Sequence, residues 1–202
     1  MKSIQQITLG NLGVLEFTAD LIRKVKHIPG DLCEAGVAYG GQLCNMHLAN
    51  PDKRVFAFDS FEGISEHSEK DAEFTQAHGK TTGDQRKSNG VTAVPLEVCK
   101  ENMLRNIQSL DKFVFIKGWF VDTLPKLTNE TFSAIRLDCD IYEPYKTCLE
   151  HLYPRLNNGG VLIIDDFHLS GCKIALLEYF GEKVMSNFVV DNMLGNAYLF
   201  KQ

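Results

Sequence analysis

One short stretch, residues 31–42, constrains the fold more than any other part of the chain. It begins with a mostly apolar run, residues 31–35, which is typical of a buried β-strand and carries an acid, Glu34, near its end. The pattern Glu-x-Gly-x-x-x-Gly-Gly follows, and its glycines predict a tight turn that opens a helix. Such a turn lets the backbone approach a ligand closely, above a helix N-terminus. The spacing differs from the G-x-G-x-x-G of dinucleotide-binding folds, which disfavours a nicotinamide cofactor.

The rest of the chain alternates apolar runs with helical patterns, which predicts a doubly wound α/β fold. Besides 31–35, the predicted strands are 55–58, 114–119, 132–138 and 161–164. The predicted helices that separate them are 40–50, 97–110, 145–156 and 171–180. We expect the third of these helices to stop at a left-handed cap formed by residues 157–160. Residues 187–190 and 197–200 form a predicted hairpin, so the mostly parallel sheet has an antiparallel C-terminal edge.

The length of 202 residues predicts one domain. We expect residues 1–28 to form a helical cover on the sheet and the polar segment 62–97 to form a lid over the ligand site. Two histidines of that segment, His67 and His78, are interpreted as solvated loop residues.

Composition excludes several classes of protein. A formal net charge of −5 argues against nucleic acid and anionic membranes as partners. No run reaches the roughly 18 apolar residues that a membrane-spanning helix needs, and the N-terminus lacks the pattern of a signal peptide. The six cysteines include no C-x-x-C pair, which favours reduced thiols in a cytoplasmic protein.

Acidic residues end most of the predicted strands. They are Glu34, Asp59, Asp138 with Asp140, and Asp165 with Asp166. Because the carboxyl ends of parallel strands share one edge, the last four carboxylates would repel one another unless a cation offsets them. Oxygen ligands favour Mg²⁺ or Mn²⁺, although helix caps and solvated loop acids are the alternative interpretation.

Two further positions are open to more than one interpretation. Asp59 lies at the tip of the second strand, where an acid holds ribose hydroxyls in nucleotide-binding folds, and a turn-forming aspartate is the alternative interpretation. Trp119, the only tryptophan, could stack on a ligand base or fill the core.

Six pieces of the chain, in order, resemble the macrocin O-methyltransferase-like family. They are Pro29-Gly30-Asp31-Leu32-Cys33-Glu34-Ala35-Gly36-Val37 with Gly40-Gly41, Phe58-Asp59-Ser60-Phe61-Glu62-Gly63, Lys117-Gly118-Trp119 with Thr123-Leu124-Pro125, Arg136-Leu137-Asp138-Cys139-Asp140-Ile141-Tyr142-Glu143, Leu152-Tyr153-Pro154-Arg155-Leu156 with Gly159-Gly160, and Ile163-Ile164-Asp165-Asp166-Phe167 with Gly171-Cys172-Lys173. The departures are Gln42, Cys139 and Pro144, where family members often have a small residue, Gly and Ser.

The resemblance implies a class I methyltransferase with a Rossmann-like, seven-stranded sheet and S-adenosylmethionine as cofactor. The cofactor-binding residues it implies are Glu34, Gly36, Val37, Tyr39, Gly40, Gly41, Asp59, Ser60, Gly118, Trp119 and Asp138. It further implies that Asp138, Asp165 and Asp166 bind Mg²⁺ or Mn²⁺ and that Asp140 is the catalytic base.

The expected reaction is O-methylation of a small hydroxylated molecule, either a sugar or a catechol-like diol. Metal chelation would lower the pKa of the target hydroxyl, and a carboxylate would take its proton. A cofactor-binding protein without catalysis and a NAD-dependent oxidoreductase are the alternatives, and a homodimer is left open as the assembly.

Overall fold

A computed structural model describes residues 4, 6–8 and 11–202. It contains a seven-stranded sheet in the order β3-β2-β1-β4-β5-β7-β6. The strands are β1 (Asp31–Ala35), β2 (Val55–Asp59), β3 (Phe113–Lys117), β4 (Phe132–Leu137), β5 (Leu156–Ile164), β6 (Val189–Asp191) and β7 (Asn196–Phe200). The helices are α1 (Leu12–Lys24), α2 (Gly41–Ala49), α3 (Ala72–His78), α4 (Leu96–Leu104), α5 (Phe120–Thr123), α6 (Tyr142–Leu152) and α7 (Ser170–Met185). Short 3-10 turns follow α5 and α6, at Leu124–Lys126 and Tyr153–Arg155.

The sheet confirms the predicted fold class. Strands β1 to β5 pair in parallel, whereas β7 is antiparallel to both β5 and β6. The chain runs outward from β1 to β3 and then crosses back to β4 on the other side of β1. The strand order therefore reverses between β1 and β4, and ligands of doubly wound folds bind at the carboxyl ends of the strands at such a point.

The sheet separates two hydrophobic cores because successive side chains of a strand point to opposite faces. Cys33 and Phe58 face the core that contains Tyr145 of α6 and Leu176 of α7. The neighbouring strand residues Leu32 and Ala57 face the other core, which contains residues of α1, α2 and α4. Burial on both faces explains why the central strands are almost uniformly apolar.

One predicted boundary is wrong. Helix α6 begins and ends earlier than predicted, and residues 157–160 lie inside β5 rather than in a helix cap. Gly159 has φ of +80°, and its N–H donates to the carbonyl of Lys201 at 2.7 Å. The N–H of Lys201 in turn donates to the carbonyl of Gly160 at 2.9 Å, so these glycines form an irregular part of the strand beside the end of the chain.

Segment 62–97 is folded onto the carboxyl edge of the sheet. It includes α3 and an isolated bridge between Ser65 and Ser88. Asp71 accepts a hydrogen bond from the backbone N–H of Tyr142, the first residue of α6, at 2.7 Å. His67 is fully buried, so its interpretation as a solvated residue was wrong. A lid role for the segment and the division of the chain into a cover, a domain and a lid remain predictions.

Within the described part of the chain, every helix is too short or too polar to cross a membrane.

Candidate active site

A cavity of about 250 Å³ lies where the strand order reverses. Its walls come from the loops after β1, β2, β4 and β5, with further contributions from segment 62–97. The predicted site residues that line it are Glu34, Gly36, Val37, Tyr39, Gly41, Asp59, Ser60, Trp119, Asp138, Asp140, Asp165 and Asp166. Gly40 and Gly118 are not among the lining residues. The structure thus brings most of the predicted site residues together in one cavity.

The glycine turn packs directly against the end of β4. Gly36 has φ of +87°, and a Cβ placed there would lie 1.7 Å from the carbonyl oxygen of Asp138. A side chain at this position would therefore push the turn away from the acidic loop. Gly40 adopts the left-handed conformation at the N-cap of α2, with φ of +85°. Gly36 is therefore needed for the close approach of the turn to the loop that follows β4, whereas a Cβ on Gly40 would lie 2.6 Å from Met103 Cγ of α4.

Asp59 braces the same turn. Its carboxylate accepts hydrogen bonds from the backbone N–H groups of Val37 at 2.7 Å, Ala38 at 3.3 Å and Phe61 at 2.7 Å. Burial nevertheless raises the pKa of this carboxyl above its usual value. The geometry matches the turn-shaping interpretation of Asp59. A contact with a cofactor ribose remains a prediction, although the side chain does reach the cavity wall.

Arg136 joins three of the acids, and sequence reasoning assigned it no role. This fully buried residue of β4 donates from Nη1 to Glu34 Oε1 at 2.7 Å and to Asp138 Oδ2 at 2.8 Å. Its Nη2 donates to Asp165 Oδ1. The repulsion that was expected to require a metal is therefore offset in part by an arginine. The signal in the sequence was a single cation inside an otherwise uncharged buried strand.

A second acidic group lies beside this network. Carboxylate oxygens of Asp138, Asp140 and Asp166 come within 4.8 Å of one another. Asp166 Oδ2 accepts hydrogen bonds from the backbone N–H of Asp140 at 3.0 Å and the hydroxyl of Tyr145 at 2.9 Å. The predicted metal set contained Asp165 instead of Asp140. In the structure the Asp165 carboxylate contacts Arg136 and the side-chain amide of Asn196, the latter at 2.6 Å.

Burial and mutual repulsion raise the pKa values of these acids. The pKa of Asp140 rises to about 8, first because of burial and then because of the charges of Asp138 and Asp165. Burial raises the pKa of Glu34 to about 7, despite the opposing effect of Arg136. Burial also raises the pKa values of Asp138 and Asp166 well above the usual range. Perturbed carboxyls that share one cavity are typical of functional sites.

All three departures from the family pattern lie on the cavity wall. Cys139 is buried, its Sγ lies 3.6 Å from the carbonyl of Ala35, and burial raises the pKa of its thiol. Pro144 occupies the first turn of α6, where a missing N–H is tolerated. Gln42 also lines the cavity and accepts a hydrogen bond from Asn45 at 2.9 Å.

A model of the macrocin O-methyltransferase family matches residues 12–193, most of the chain. This chain belongs to that family. The match confirms the resemblance that the motifs indicated. The matched residues include the motifs around the cavity.

Curated relatives support the same assignment. The chain is 39% identical over 165 residues to the 8-demethyl-8-(2,3-dimethoxy-alpha-L-rhamnosyl)-tetracenomycin-C 4'-O-methyltransferase of Streptomyces olivaceus, covering 79% of this chain and 61% of that protein. It is 36% identical over 165 residues to the demethyldecarbamoylnovobiocin O-methyltransferase of Streptomyces niveus, covering 76% and 59%. The matches thus span about three-fifths of the length of these relatives.

The structure of the O-methyltransferase NovP superposes on this chain with a TM-score of 0.81 at 27% identity. The match covers 97% of this chain and 82% of NovP. The class I methyltransferase fold is therefore shared over nearly the whole chain.

Proposed function

We propose that this protein is an S-adenosylmethionine-dependent O-methyltransferase that modifies a hydroxyl of a small molecule with help from a divalent cation. The observation that carries the proposal is one cavity in which the glycine turn after β1 faces the acids Asp138, Asp140 and Asp166. The named activities of the relatives support the same reaction.

The proposed cofactor site is the β1 side of the cavity. Glu34 lines this side, and its Oε2 atom is buried without a hydrogen-bond partner. An unsatisfied carboxylate oxygen is suited to the ammonium of the cofactor's methionine part. Trp119 lines the same cavity and offers an aromatic face to the adenine.

The proposed cation site is the β4 side of the cavity. Its residues fit a hard divalent ion. Carboxylate oxygens of Asp138 and Asp166 lie within 4.8 Å of each other, and both carboxyls have raised pKa values. They offer only oxygen ligands, which such an ion prefers. We propose that these two carboxylates hold the ion, with Asp140 beside it. Asp165 remains a predicted ligand, although its contacts with Arg136 and Asn196 compete with that role. A bound cation would lower the pKa of the target hydroxyl.

Asp140 is the proposed general base. Its pKa of about 8 lies close to neutral pH, where a carboxylate is an effective proton acceptor. In the proposed step the substrate oxygen forms a bond to the methyl carbon as the carbon–sulfur bond breaks. The hydroxyl proton passes to Asp140, and the sulfonium becomes a neutral thioether.

The substrate class follows from the wall on the side of segment 62–97. Its polar residues are uncharged, namely Ser65, Gln85 and Thr92. Hydroxyl and amide groups suit a sugar, which agrees with the rhamnosyl group in the name of one relative. A catechol-like diol is the second candidate. The absence of nucleic-acid and membrane partners, the homodimer and the cytoplasmic location remain predictions.

Ligand-dependent stability tests the cofactor. We expect S-adenosylhomocysteine to raise the melting temperature and NAD to leave it unchanged, because a ligand that binds only the folded state stabilises it. Stabilisation by NAD alone would favour the oxidoreductase alternative and contradict the proposal.

Turnover separates an enzyme from a cofactor-binding protein without catalysis. The protein is incubated with S-adenosylmethionine, Mg²⁺ and a panel of glycosides and diols, and methylated products are measured by mass spectrometry. We expect Asp140→Asn to bind S-adenosylhomocysteine normally but to lose about 10²- to 10⁴-fold in rate, the usual contribution of a general base. Full turnover in EDTA would remove the cation from the proposal.

A further inference from the structure

Arg136 occupies an unusual position for a charged residue. It lies in the middle of the parallel sheet with only 2% of its side chain exposed, between β1 and β5. Its backbone is in register with Glu34 on one side and Ile163 on the other. A buried guanidinium persists only where its charge is matched, and here three carboxylates from three different strand ends surround it.

The guanidinium contacts both the β1 side and the β4 side of the cavity. Nη1 donates hydrogen bonds to Glu34 at 2.7 Å and to Asp138 at 2.8 Å, while Nη2 donates to Asp165. Asp165 is held in turn by Asn196 of β7. The guanidinium is planar and rigid, so fixing its Asp138 and Asp165 contacts also fixes where Glu34 Oε1 lies.

Glu34 has no other side-chain anchor in the described residues. Its Oε1 binds Arg136, whereas its buried Oε2 has no partner. The direction in which Oε2 points is therefore set by Arg136. Without this contact a carboxyl whose pKa is already raised to about 7 would also hold its proton more tightly.

We propose that Arg136 is a positioning residue that orients Glu34 for the cofactor by bracing it against Asp138 and Asp165. It acts through Glu34 and does not itself need to contact the cofactor. This inference rests on the proposed function, because it assumes that Glu34 binds S-adenosylmethionine. It makes the acids of the β4 and β5 loops part of the cofactor site as well as the candidate cation site.

A double-mutant cycle on Arg136 and Glu34 tests the proposal. Affinity for S-adenosylhomocysteine is measured by titration calorimetry in EDTA for the wild type, Arg136→Lys, Glu34→Gln and the double variant. Lysine keeps the charge, but its single nitrogen cannot contact Glu34 and Asp165 in the geometry of the guanidinium. We expect each single variant to lose about 10-fold or more in affinity, the usual size of one charged hydrogen bond, and the double variant to lose no more than Glu34→Gln alone.

A purely structural role predicts a different result. If Arg136 only neutralises buried charge, Arg136→Lys would bind S-adenosylhomocysteine like the wild type, or the two losses would add, and either result would overturn the inference. The matched control is Arg54→Lys. Arg54 also pairs with an aspartate, Asp31 at 2.6 Å, but at the opposite end of the strands, and we expect its variant to bind normally.

A second variant keeps the test decisive if Arg136→Lys does not fold. Asp165→Asn leaves the guanidinium in place but weakens its bracing, so we expect about a 3-fold or larger loss of affinity in EDTA, where no cation is present. Unchanged affinity would overturn the inference. Failure of the wild type to bind S-adenosylhomocysteine would instead refute the proposed function. Failure of the inference and failure of the proposed function therefore give different results.

Discussion

At the scale of single residues, some carboxylates of the cavity pair with a cationic side chain and others do not. Arg136 offsets Glu34 and Asp165, whereas Asp140 has no cationic partner among the side chains that the structure describes. Its pKa of about 8 exceeds the ordinary value of an aspartate, so between about pH 4 and pH 8 the folded state binds more protons than the unfolded state. Because of this difference, the free energy of unfolding falls as pH rises through that interval.

Removing this carboxylate should therefore stabilise the cation-free protein at high pH. In EDTA, we expect the melting temperature of Asp140→Asn to exceed that of the wild type by at least a few degrees at pH 8.5 and to equal it closely at pH 4. For a domain of this size, a change of about 1 kcal/mol in the free energy of unfolding corresponds to ~2–4 °C. The measurement is the melting temperature across this pH range. Asp52→Asn, at an exposed acid outside the cavity, is the control and should show no such trend. A constant difference between Asp140→Asn and the wild type at all pH values would contradict the assigned pKa shift.

At the scale of elements, segment 62–97 is attached to the sheet by specific contacts. Asp71 accepts from the N–H of Tyr142 through Oδ1 and from the N–H and hydroxyl of Ser68 through Oδ2. A Cβ on Gly171 would meet Asp71 Oδ1 at 1.8 Å, so the glycine at the start of α7 makes room for this carboxylate. One aspartate thus ties the segment to the N-terminal end of α6 and packs closely against that of α7.

Loss of this contact should loosen the segment without unfolding the sheet. We expect Asp71→Ala to reduce the free energy of unfolding by about 0.5–2 kcal/mol, the range found when a helix loses its N-terminal acceptor. Hydrogen exchange should become faster within residues 64–92, because these amides then open locally. Glu69→Ala, at an exposed neighbour, is the control. Unchanged exchange in Asp71→Ala would show that other contacts hold the segment.

At the scale of the whole molecule, the core includes large residues at the end of the parallel strands that lies away from the candidate site. The cavity occupies the carboxyl ends, whereas Phe132 is fully buried at the amino end of β4, with its ring 5.6 Å from that of Phe56. A doubly wound sheet allows this separation, because the core holds the strands while the loops at one edge carry the ligand-binding groups.

A core substitution should reveal that separation. We expect Phe132→Ala to reduce the free energy of unfolding by about 3–5 kcal/mol, because it leaves a cavity in a close-packed core. The affinity of the folded protein for S-adenosylhomocysteine should stay within about 3-fold of the wild type, as expected for sites that share no contacts. Urea denaturation and calorimetry measure the two quantities. Val189→Ala, at a half-exposed residue of β6, should change neither. A large loss of affinity in Phe132→Ala would show that the site and the core are coupled.

The sequence by itself determined the fold class, the family and the edge of the sheet at which the candidate site lies. Apolar runs that end in acids can be read locally, and parallel strands necessarily bring their carboxyl ends to one edge. The same logic was wrong for residues 157–160, because a helix cap and an irregular strand use glycine in the same way.

The tertiary structure alone decided how the charges at that edge are paired. Arg136 contacts Glu34 and Asp165, which lie 102 and 29 residues away along the chain, and no local pattern encodes such contacts. It also placed Asp140, rather than Asp165, beside Asp138 and Asp166, and it turned Asp59 toward the backbone of the glycine turn. Burial at a shared edge, which depends on every strand at once, is the physical reason that the sequence located the site but could not determine its electrostatics.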